Sequence, residues 1–370
     1  MRIRRRCFHY LIVVGYCCRP IWTLSLESSS STSSSASSAP IVRRYSRLVP
    51  WNKEHRHVEL GWGVEERIIR SDESRAFQIS VEWSHQADGE IAAGSDSTMR
   101  KTTATSVTRI IPDLGQGGSL GSSLWPTSMA ASMLLLSPTF ASLTSNKSIL
   151  ELGCGVGLPG LVAAQHAATC LLTDNHEEVI DVLQDKTIPW NQDQVTGILA
   201  SQRLDWRDVS DDDPLTSPPT TTFVDFVLGV EVAYYYYLLR PLMDTIKKFV
   251  NPQSGYSVVI GQANRESQWD LYKNICKGCY NQRTDQHERP WSGSCNMLLY
   301  HLESTKWIEQ KYDDHGNLSF TKDDFDSNID GDIPISVIVY HSNEQATLPA
   351  FSPYDHIATV SDDENIMKTF

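Results

Sequence analysis

The chain has 370 residues, of which 40% are hydrophobic, so it is long enough to bury the core of a complete enzyme domain. Its formal net charge of -13 at pH 7 argues against a surface that binds nucleic acids generally. The same acidic balance is compatible with a basic protein as substrate.

The first 57 residues differ in composition from the rest of the chain. Four arginines lie within residues 1–6, a mostly apolar run covers residues 7–18, and residues 28–38 are almost all serine. The apolar run is shorter than the ~20 residues that span a bilayer. It suits a signal peptide or part of a transit peptide, and an unstructured extension explains it equally well. We therefore predict a targeting or disordered extension at 1–57 and no membrane span.

A globular pattern begins near residue 58. Strand-like stretches at 58–70 and 77–83 precede a helix at 124–136, in which Pro126 is tolerated in the first turn. The predicted strands that follow are 148–152, 169–173, 197–204, 223–232, 256–262, 297–304 and 335–340. The helices predicted between them are 159–166, 177–185, 238–250 and 267–280.

Alternating strands and helices predict an α/β fold with a mostly parallel, doubly wound sheet and helices on both faces. The last two strands have no helix between them, which predicts an antiparallel hairpin at one edge. Residues 211–222 and 313–332 are acidic and are predicted to be solvated loops. We assign one domain to residues 58–350 and a loose tail to residues 351–370.

Eight cysteines occur at irregular spacing, which does not indicate a small disulfide-rich scaffold. Cys276 and Cys279 form a CxxC pair, with His287, Cys295 and His301 downstream. This set allows a zinc site. Because no second CxxC supports zinc, we favour two cysteines one turn apart on a helix, and we predict no metal.

A glycine-rich segment carries the strongest functional signal. Four glycines follow the strand at 148–152 and open a helix: Gly153, Gly155, Gly157 and Gly160. Glycine lets the backbone turn tightly and approach a ligand closely. Asp174 ends the next strand, where a carboxylate can accept hydrogen bonds from two ribose hydroxyls.

The same segment also spells GxGxxG, so a dinucleotide site is the natural alternative. Two features favour S-adenosylmethionine instead. Glu151 ends the first strand, where a charge would repel a pyrophosphate but could hold the cationic ammonium of a methionine. In addition, a helix that contains Trp125 precedes this strand, whereas dinucleotide folds often begin with the strand itself.

Four segments resemble the seven-β-strand protein lysine methyltransferases of the methyltransferase family 16 type, which include calmodulin-lysine and chaperone-lysine methyltransferases. The segments are GSSLWP at 121–126, ILELGCGVGLPG at 149–160, LTDN at 172–175 and LDW at 204–206. The resemblance implies a class I Rossmann-like methyltransferase with a seven-stranded sheet and bound S-adenosylmethionine. It implies that Trp125 contacts the donor and that the indole of Trp206 lies beside the adenine. The donor-binding residues on this basis are Trp125, Glu151, Gly153, Cys154, Gly155, Asp174, Trp206 and Val230.

A fifth segment, LGVEVAY at 228–234, resembles the acceptor-side signature of that family. Glu231 stands where the family has aspartate, and Tyr234 matches the family tyrosine. The resemblance implies that both are catalytic and that they orient a lysine amine by hydrogen bonds and cation–π contact. The backbone of Val230 matches the position that lines the donor pocket.

Several functions remain open at this point. The acceptor could be arginine, histidine or a small molecule, or the domain could bind the donor without turnover. An NAD-linked oxidoreductase is the third alternative. We expect a protein substrate with a lysine acceptor, no nucleic-acid substrate because Asn-Pro-Pro-Tyr is absent, and a monomer. The family resemblance implies cytoplasm or nucleus, although the arginine-rich N-terminus could direct the chain to an organelle or to secretion.

Overall fold

The computed structural model describes residues 42–50, 61–68, 77–86, 101–111, 121, 123–209, 223–278, 280–281, 286–287, 291–312, 318–322, 333–345 and 348. The predicted loop at 211–222 and the tail at 351–370 lie outside these residues. So does most of the predicted N-terminal extension.

A mixed sheet of nine strands dominates the described part of the chain. Its strands are β1 Val42–Pro50, β5 Ser148–Leu152, β6 Thr169–Asp174, β7 Ile198–Arg203, β8 Phe226–Val230, β9 Tyr256–Gln262, β12 Ser294–Tyr312, β13 Leu318–Lys322 and β14 Ile333–His341. Their order is β1-β12-β14-β9-β8-β5-β6-β7, and β13 pairs with β12. The run from β7 to β9 is parallel, and β14 is antiparallel to both neighbours.

Seven of the nine strands, β5–β9, β12 and β14, confirm the predicted mostly parallel sheet with an antiparallel strand pair. The pair β14–β12 does not form the edge, however, because β1 adds antiparallel to β12, from Val42 opposite Ile308 to Pro50 opposite Tyr300. Residues 42–50 were predicted to belong to a targeting or disordered extension, so that part of the prediction is wrong. The predicted loop at 313–332 likewise contains β13.

A second, three-stranded antiparallel sheet consists of β2 Gly61–Ile68, β3 Phe77–Gln86 and β4 Lys101–Ile110. β2 and β3 correspond to the predicted stretches, whereas β4 was not predicted. Ile79, Val81 and Ile110 from this sheet are buried in one of the two main apolar clusters. A short pair, β10 Tyr280–Asn281 and β11 Gln286–His287, completes the described strands.

Helices cover both faces of the central sheet. They are α1 Pro126–Leu136, α2 Pro138–Thr144, α3 Leu158–Ala164, α4 Glu177–Val182, α5 Ile188–Asn191, α6 Tyr236–Phe249 and α7 Glu266–Tyr272, with π turns at Leu183–Thr187 and Lys273–Lys277. Side chains of α1 and α3 pack in one apolar cluster, and those of α6 and α7 pack in the other. Neighbouring residues of β8 pack on opposite faces of the sheet. Val227 belongs to the apolar cluster with α6 and α7, and Leu228 belongs to the one with α1 and α3. Strands covered on both faces are mostly apolar, which explains why β8 is a continuous hydrophobic run.

Cys276 and Cys295 form a disulfide with their Cα atoms 5.4 Å apart, joining the turn at Lys273–Lys277 to β12. Two of the candidate zinc ligands are therefore joined to each other, and Cys279 lies outside the described residues. Within the described part of the chain, no cluster of His, Cys, Asp and Glu could hold a metal ion. No helix found there is long and apolar enough to cross a membrane.

The buried position of β5 within the sheet can be tested directly by substitution. Ile149 on β5 is 1% exposed, whereas Ile198 on β7 is 68% exposed. Ile149→Ala should lower the free energy of unfolding in urea by about 2–5 kcal/mol, because it leaves a cavity in the core. Ile198→Ala, the matched control, should change it by less than about 0.5 kcal/mol. Equal losses for the two variants would contradict the placement of β5 at the centre.

Candidate functional site

A cavity of about 490 Å³ opens at the carboxyl ends of β5, β6 and β8. The chain runs outward from β5 to β6 and β7 and then returns to the other side of β5 as β8. Parallel sheets bind ligands at such a reversal of strand order. Nine of the ten predicted site residues line this cavity: Trp125, Gly153, Cys154, Gly155, Asp174, Trp206, Val230, Glu231 and Tyr234.

The loop between β5 and α3 requires glycine for two reasons. Gly153 and Gly155 have φ values of 63° and 52°, in the left-handed region that other residues rarely adopt. A Cβ at Gly155 would lie 2.9 Å from the carbonyl oxygen of Gly121, and one at Gly153 would lie 2.9 Å from the Val232 side chain. At both positions a side chain would therefore clash with neighbouring protein atoms.

Asp174, at the end of β6, holds this loop in place. One carboxylate oxygen accepts a hydrogen bond from the backbone N–H of Gly155 at 3.1 Å, and the other accepts one from His176 at 3.0 Å. Each carboxylate oxygen has a second lone pair, and the side chain lines the cavity. Asp174 therefore keeps capacity to accept hydrogen bonds from hydroxyls of a bound ligand.

Two indoles also line the cavity. Trp125 immediately precedes α1, and Trp206 begins a 3₁₀ turn after β7. A Cβ on Gly153 would lie 3.3 Å from the Trp206 ring, so the indole packs directly against the glycine loop. The structure thus brings the predicted aromatic side chains to the predicted loop.

Glu231 follows β8 with φ of 56°, in the left-handed region, and its side chain is 8% exposed. Its Oε1 accepts hydrogen bonds from Thr127 Oγ1 at 2.7 Å and from the backbone N–H of Gln262 at 2.9 Å. Its Oε2 lies 3.2 Å from Arg265 Nε. The carboxylate therefore connects β8 to α1, to the end of β9 and to Arg265, which precedes α7.

Tyr234 lies on the same side of the cavity and is partly buried. Burial and the charge of Asp174 raise the pKa of its phenol above the ordinary value of 10. At neutral pH the hydroxyl is therefore protonated and can donate a hydrogen bond. The ring of Tyr235 meets that of Tyr234 edge to face, with centroids 4.6 Å apart.

Residues 105–277 match the sequence model of a family described as lysine methyltransferase.

The matched segment, a little less than half of the chain, is similar to this lysine methyltransferase family.

The chain is also similar, at low identity, to two curated proteins. The chain is 22% identical over 173 residues to protein-lysine N-methyltransferase EFM3 of Chaetomium thermophilum, covering 45% of this chain and 48% of the relative. It is 26% identical over 133 residues to histone-arginine methyltransferase METTL23 of Xenopus laevis, covering 36% and 54%. The chain thus spans about half the length of these relatives.

Solved structures also resemble the chain, at low similarity. The N-methyltransferase NodS of Bradyrhizobium japonicum, solved with S-adenosyl-L-homocysteine, is 12% identical with a TM-score of 0.34, and the match covers 62% of this chain and 90% of that one. The strand order of the central sheet, rather than this likeness, shows the predicted doubly wound α/β fold.

Glu151 is the predicted site residue that does not line the cavity. It is fully buried behind the glycine loop, against Gly160, and its Oε2 has no hydrogen-bond partner among the described residues. Its pKa is raised to about 8, mainly by burial and also by the charge of Asp174. The hydrogen bond from the backbone N–H of Gly160 offsets part of this rise. Glu151 is therefore mostly protonated at pH 7, which differs from the expectation that it presents a charge to the donor.

Cys154 is the predicted donor-binding residue that lies between Gly153 and Gly155 in the loop. Its side chain is buried and lines the cavity, and burial raises the pKa of its thiol well above 9. The thiol is therefore neutral at physiological pH, which favours a packing role over a nucleophilic one.

Four residues that line the cavity or contact Glu231 were not predicted. Arg265 and Tyr237 line the cavity, and Thr127 and Gln262 donate hydrogen bonds to Glu231. Thr127 lies 104 positions before Glu231 and Gln262 lies 31 after it, so only the folded chain brings them together. The tyrosine run after Tyr234 was visible in the sequence, but nothing in it indicated which rings face the cavity.

The burial of Glu151 predicts a pH-dependent contribution to stability. The unfolded chain releases this proton above about pH 4.5, whereas the folded chain retains it until about pH 8. The stabilisation is therefore fully present below pH 4.5 and is lost as the pH rises to 8. Relative to Glu151→Gln, which cannot titrate, the wild-type chain should lose a few kcal/mol of unfolding free energy between these values, of the order of 1.4 kcal/mol per pKa unit.

Urea denaturation at a series of pH values measures this difference. Glu178→Gln, on the exposed side of α4, is the matched control and should change unfolding free energy by less than about 0.5 kcal/mol. A constant difference between wild type and Glu151→Gln from pH 4.5 to 8 would show that Glu151 is ionised in the folded chain.

Proposed function

We propose that this chain is an S-adenosylmethionine-dependent methyltransferase that methylates a lysine side chain of a protein. One observation carries the proposal: the glycine loop with Asp174 and the pair Glu231 and Tyr234 line a single cavity. A donor site and an acceptor site must share one cavity for direct transfer. We further propose Trp125, Gly153, Cys154, Gly155, Asp174, Trp206 and Val230 as donor-binding residues.

The residues on the β5–β6 side suit a nucleoside with a methionine tail. Asp174 retains lone pairs for ribose hydroxyls, and the Trp206 indole offers an aromatic face for adenine. The glycines leave the loop backbone exposed to a ligand without an intervening Cβ. When bound, S-adenosylmethionine supplies a methyl group on a positive sulfonium, which an acceptor nitrogen takes while the sulfur keeps the electron pair.

The residues on the β8 side favour a neutral amine held close to the donor. A lysine amine has a reference pKa of about 10.4 and must lose its proton to act as a nucleophile. Arg265 compensates the charge of Glu231, so the pair does not strongly favour the ammonium form. The protonated phenol of Tyr234 can donate a hydrogen bond to the substrate, and its ring borders the path of the acceptor. The acceptor proton can pass to water, so no dedicated base is required.

The choice of a protein acceptor is supported by the relatives. One relative is named as a protein-lysine methyltransferase and the other as a histone-arginine methyltransferase, and the matched family is described by lysine. Lysine is therefore our first choice and arginine the second. A donor-binding domain without turnover is the remaining alternative. A monomer and the absence of a nucleic-acid substrate stay predictions.

Substitutions at Glu231 and Tyr234 test the acceptor side. Glu231→Ala and Tyr234→Ala should each reduce transfer of a tritiated methyl group from S-adenosylmethionine into proteins of a matched cell extract by about 100-fold or more, a size typical of lost positioning. Calorimetric binding of S-adenosylhomocysteine should change by less than about threefold, because neither side chain is assigned to the donor.

Conservative variants separate chemistry from folding. Glu231→Gln keeps an oxygen that can accept from Thr127 and Gln262 but removes the charge that pairs with Arg265. Tyr234→Phe keeps the ring and removes the hydroxyl. If the alanine variants retain wild-type labelling rates, Glu231 and Tyr234 are not catalytic. If the wild-type chain binds the donor but labels no protein, the domain is a binding module.

A further inference from the structure

The acceptor side of the cavity carries an exposed aromatic surface that the donor site does not require. Four consecutive tyrosines, Tyr234–Tyr237, cover the end of the loop after β8 and the first two residues of α6. Tyr235 and Tyr237 line the cavity but are 44% and 67% exposed. We call these two residues the tyrosine rim. Large aromatic side chains left in solvent are typical of surfaces that bind other macromolecules.

The rings of the rim have a defined arrangement. Tyr235 stacks on Tyr237 with centroids 5.2 Å apart and an interplanar angle of 19°, and the edge of Tyr234 meets Tyr235. Tyr236 does not line the cavity, although it is 55% exposed, and it bonds to Glu266 instead. The rim is therefore continuous with the acceptor side of the cavity, whereas Tyr236 faces elsewhere.

The two tyrosines of the rim are not needed for α6 to pack on the sheet. The helix packs on the sheet through its other face, and the buried residues are Leu239, Leu242, Met243, Thr245, Ile246 and Phe249. Tyr237 makes no contribution to that buried face and is the most exposed of the tyrosines. Removing the two rim rings should therefore leave the core intact.

The charges beside the rim favour a basic peptide over a nucleic acid. Arg207, near Tyr237, is already paired with Asp205, whose carboxylate accepts from Arg207 Nε at 2.9 Å. The bond to Glu266, with the charges of Glu266 and Asp270, raises the pKa of Tyr236 to about 12. Stacked tyrosines can bind unpaired bases, but such sites also need unpaired cations to hold the phosphates. The acidic groups and the net charge of -13 oppose that arrangement.

We propose that Tyr235 and Tyr237 form a docking surface for the segment of a basic protein substrate that flanks the acceptor side chain. This inference rests on the proposed methyltransferase function and adds where the substrate binds. The stacked rings offer a rigid apolar face to the aliphatic stems and main chain of the segment, and cation–π contact to its basic side chains. Tyrosine loses little conformational entropy when it is buried in this way.

The test uses the full chain, tritiated S-adenosylmethionine and a nuclease-treated matched cell extract at limiting concentration. The double variant Tyr235→Ala/Tyr237→Ala should lower the initial rate of protein labelling by about 10-fold or more, because interface tyrosines often dominate binding. Tyr235→Phe/Tyr237→Phe keeps the rings and should stay within about twofold of wild type, as should the matched exposed control Tyr236→Ala. Calorimetric affinity for S-adenosylhomocysteine and the melting temperature should be unchanged in all variants.

The outcomes distinguish this inference from the proposed function. If wild type labels protein and the double alanine variant labels it at the same rate, the docking surface is wrong and the methyltransferase stands. Loss of S-adenosylhomocysteine affinity in the double variant would assign the rim to the donor site instead. The inference would also be overturned if, without nuclease treatment, the label appeared only in nucleic acid. If wild type transfers no methyl group at all, the proposed function itself fails.

Discussion

A single hydrogen bond, from the backbone N–H of Gly155 to the carboxylate of Asp174, organises the candidate donor site. It forms because β5 and β6 are parallel neighbours, so the loop that leaves one strand and the residue that ends the other meet at the same edge. The loop can reach the carboxylate only with a left-handed backbone at Gly155. Position in the sheet, glycine and aspartate are thus mutually dependent, and the cavity follows from them.

The other wall of the cavity depends on the carboxylate of Glu231. It contacts Thr127, the backbone of Gln262 and Arg265 together. Each oxygen is already engaged, so the carboxylate is well suited to hold α1, β9 and Arg265 in register at the cavity. Under the proposed function, we expect direct contact with the substrate to fall to Tyr234 and the tyrosine rim.

The central strands were predictable because burial on both faces makes them mostly apolar. The structure has the predicted boundaries at Ser148–Leu152 and Tyr256–Gln262, whereas β8 covers only 226–230 of the predicted 223–232. β1 and β4 were missed because their arginine-, serine- and threonine-rich sequences resemble those of the polar segments around them. Periodicity in one short segment cannot show that a distant strand will pair with it.

The site residues also divide into those that the sequence predicted and those that only the folded chain reveals. Local motifs predicted the glycine loop, Asp174, Trp206 and Tyr234, because spacing within a strand–loop–helix unit fixes where they lie. The partners of Glu231 come from distant segments and carry no motif. The raised pKa of Glu151 could not be inferred from residue type, because burial, which raises it, is a property of the folded chain.

Equilibrium binding of two nucleotide cofactors tests the central claim most directly. Isothermal titration of the full chain should show binding of S-adenosylmethionine, no measurable binding of NAD, and loss of S-adenosylmethionine binding in Asp174→Ala by about 100-fold or more, since that side chain holds both the loop and the ribose. Binding of NAD in place of S-adenosylmethionine would contradict the account, and so would an Asp174→Ala variant with wild-type donor affinity.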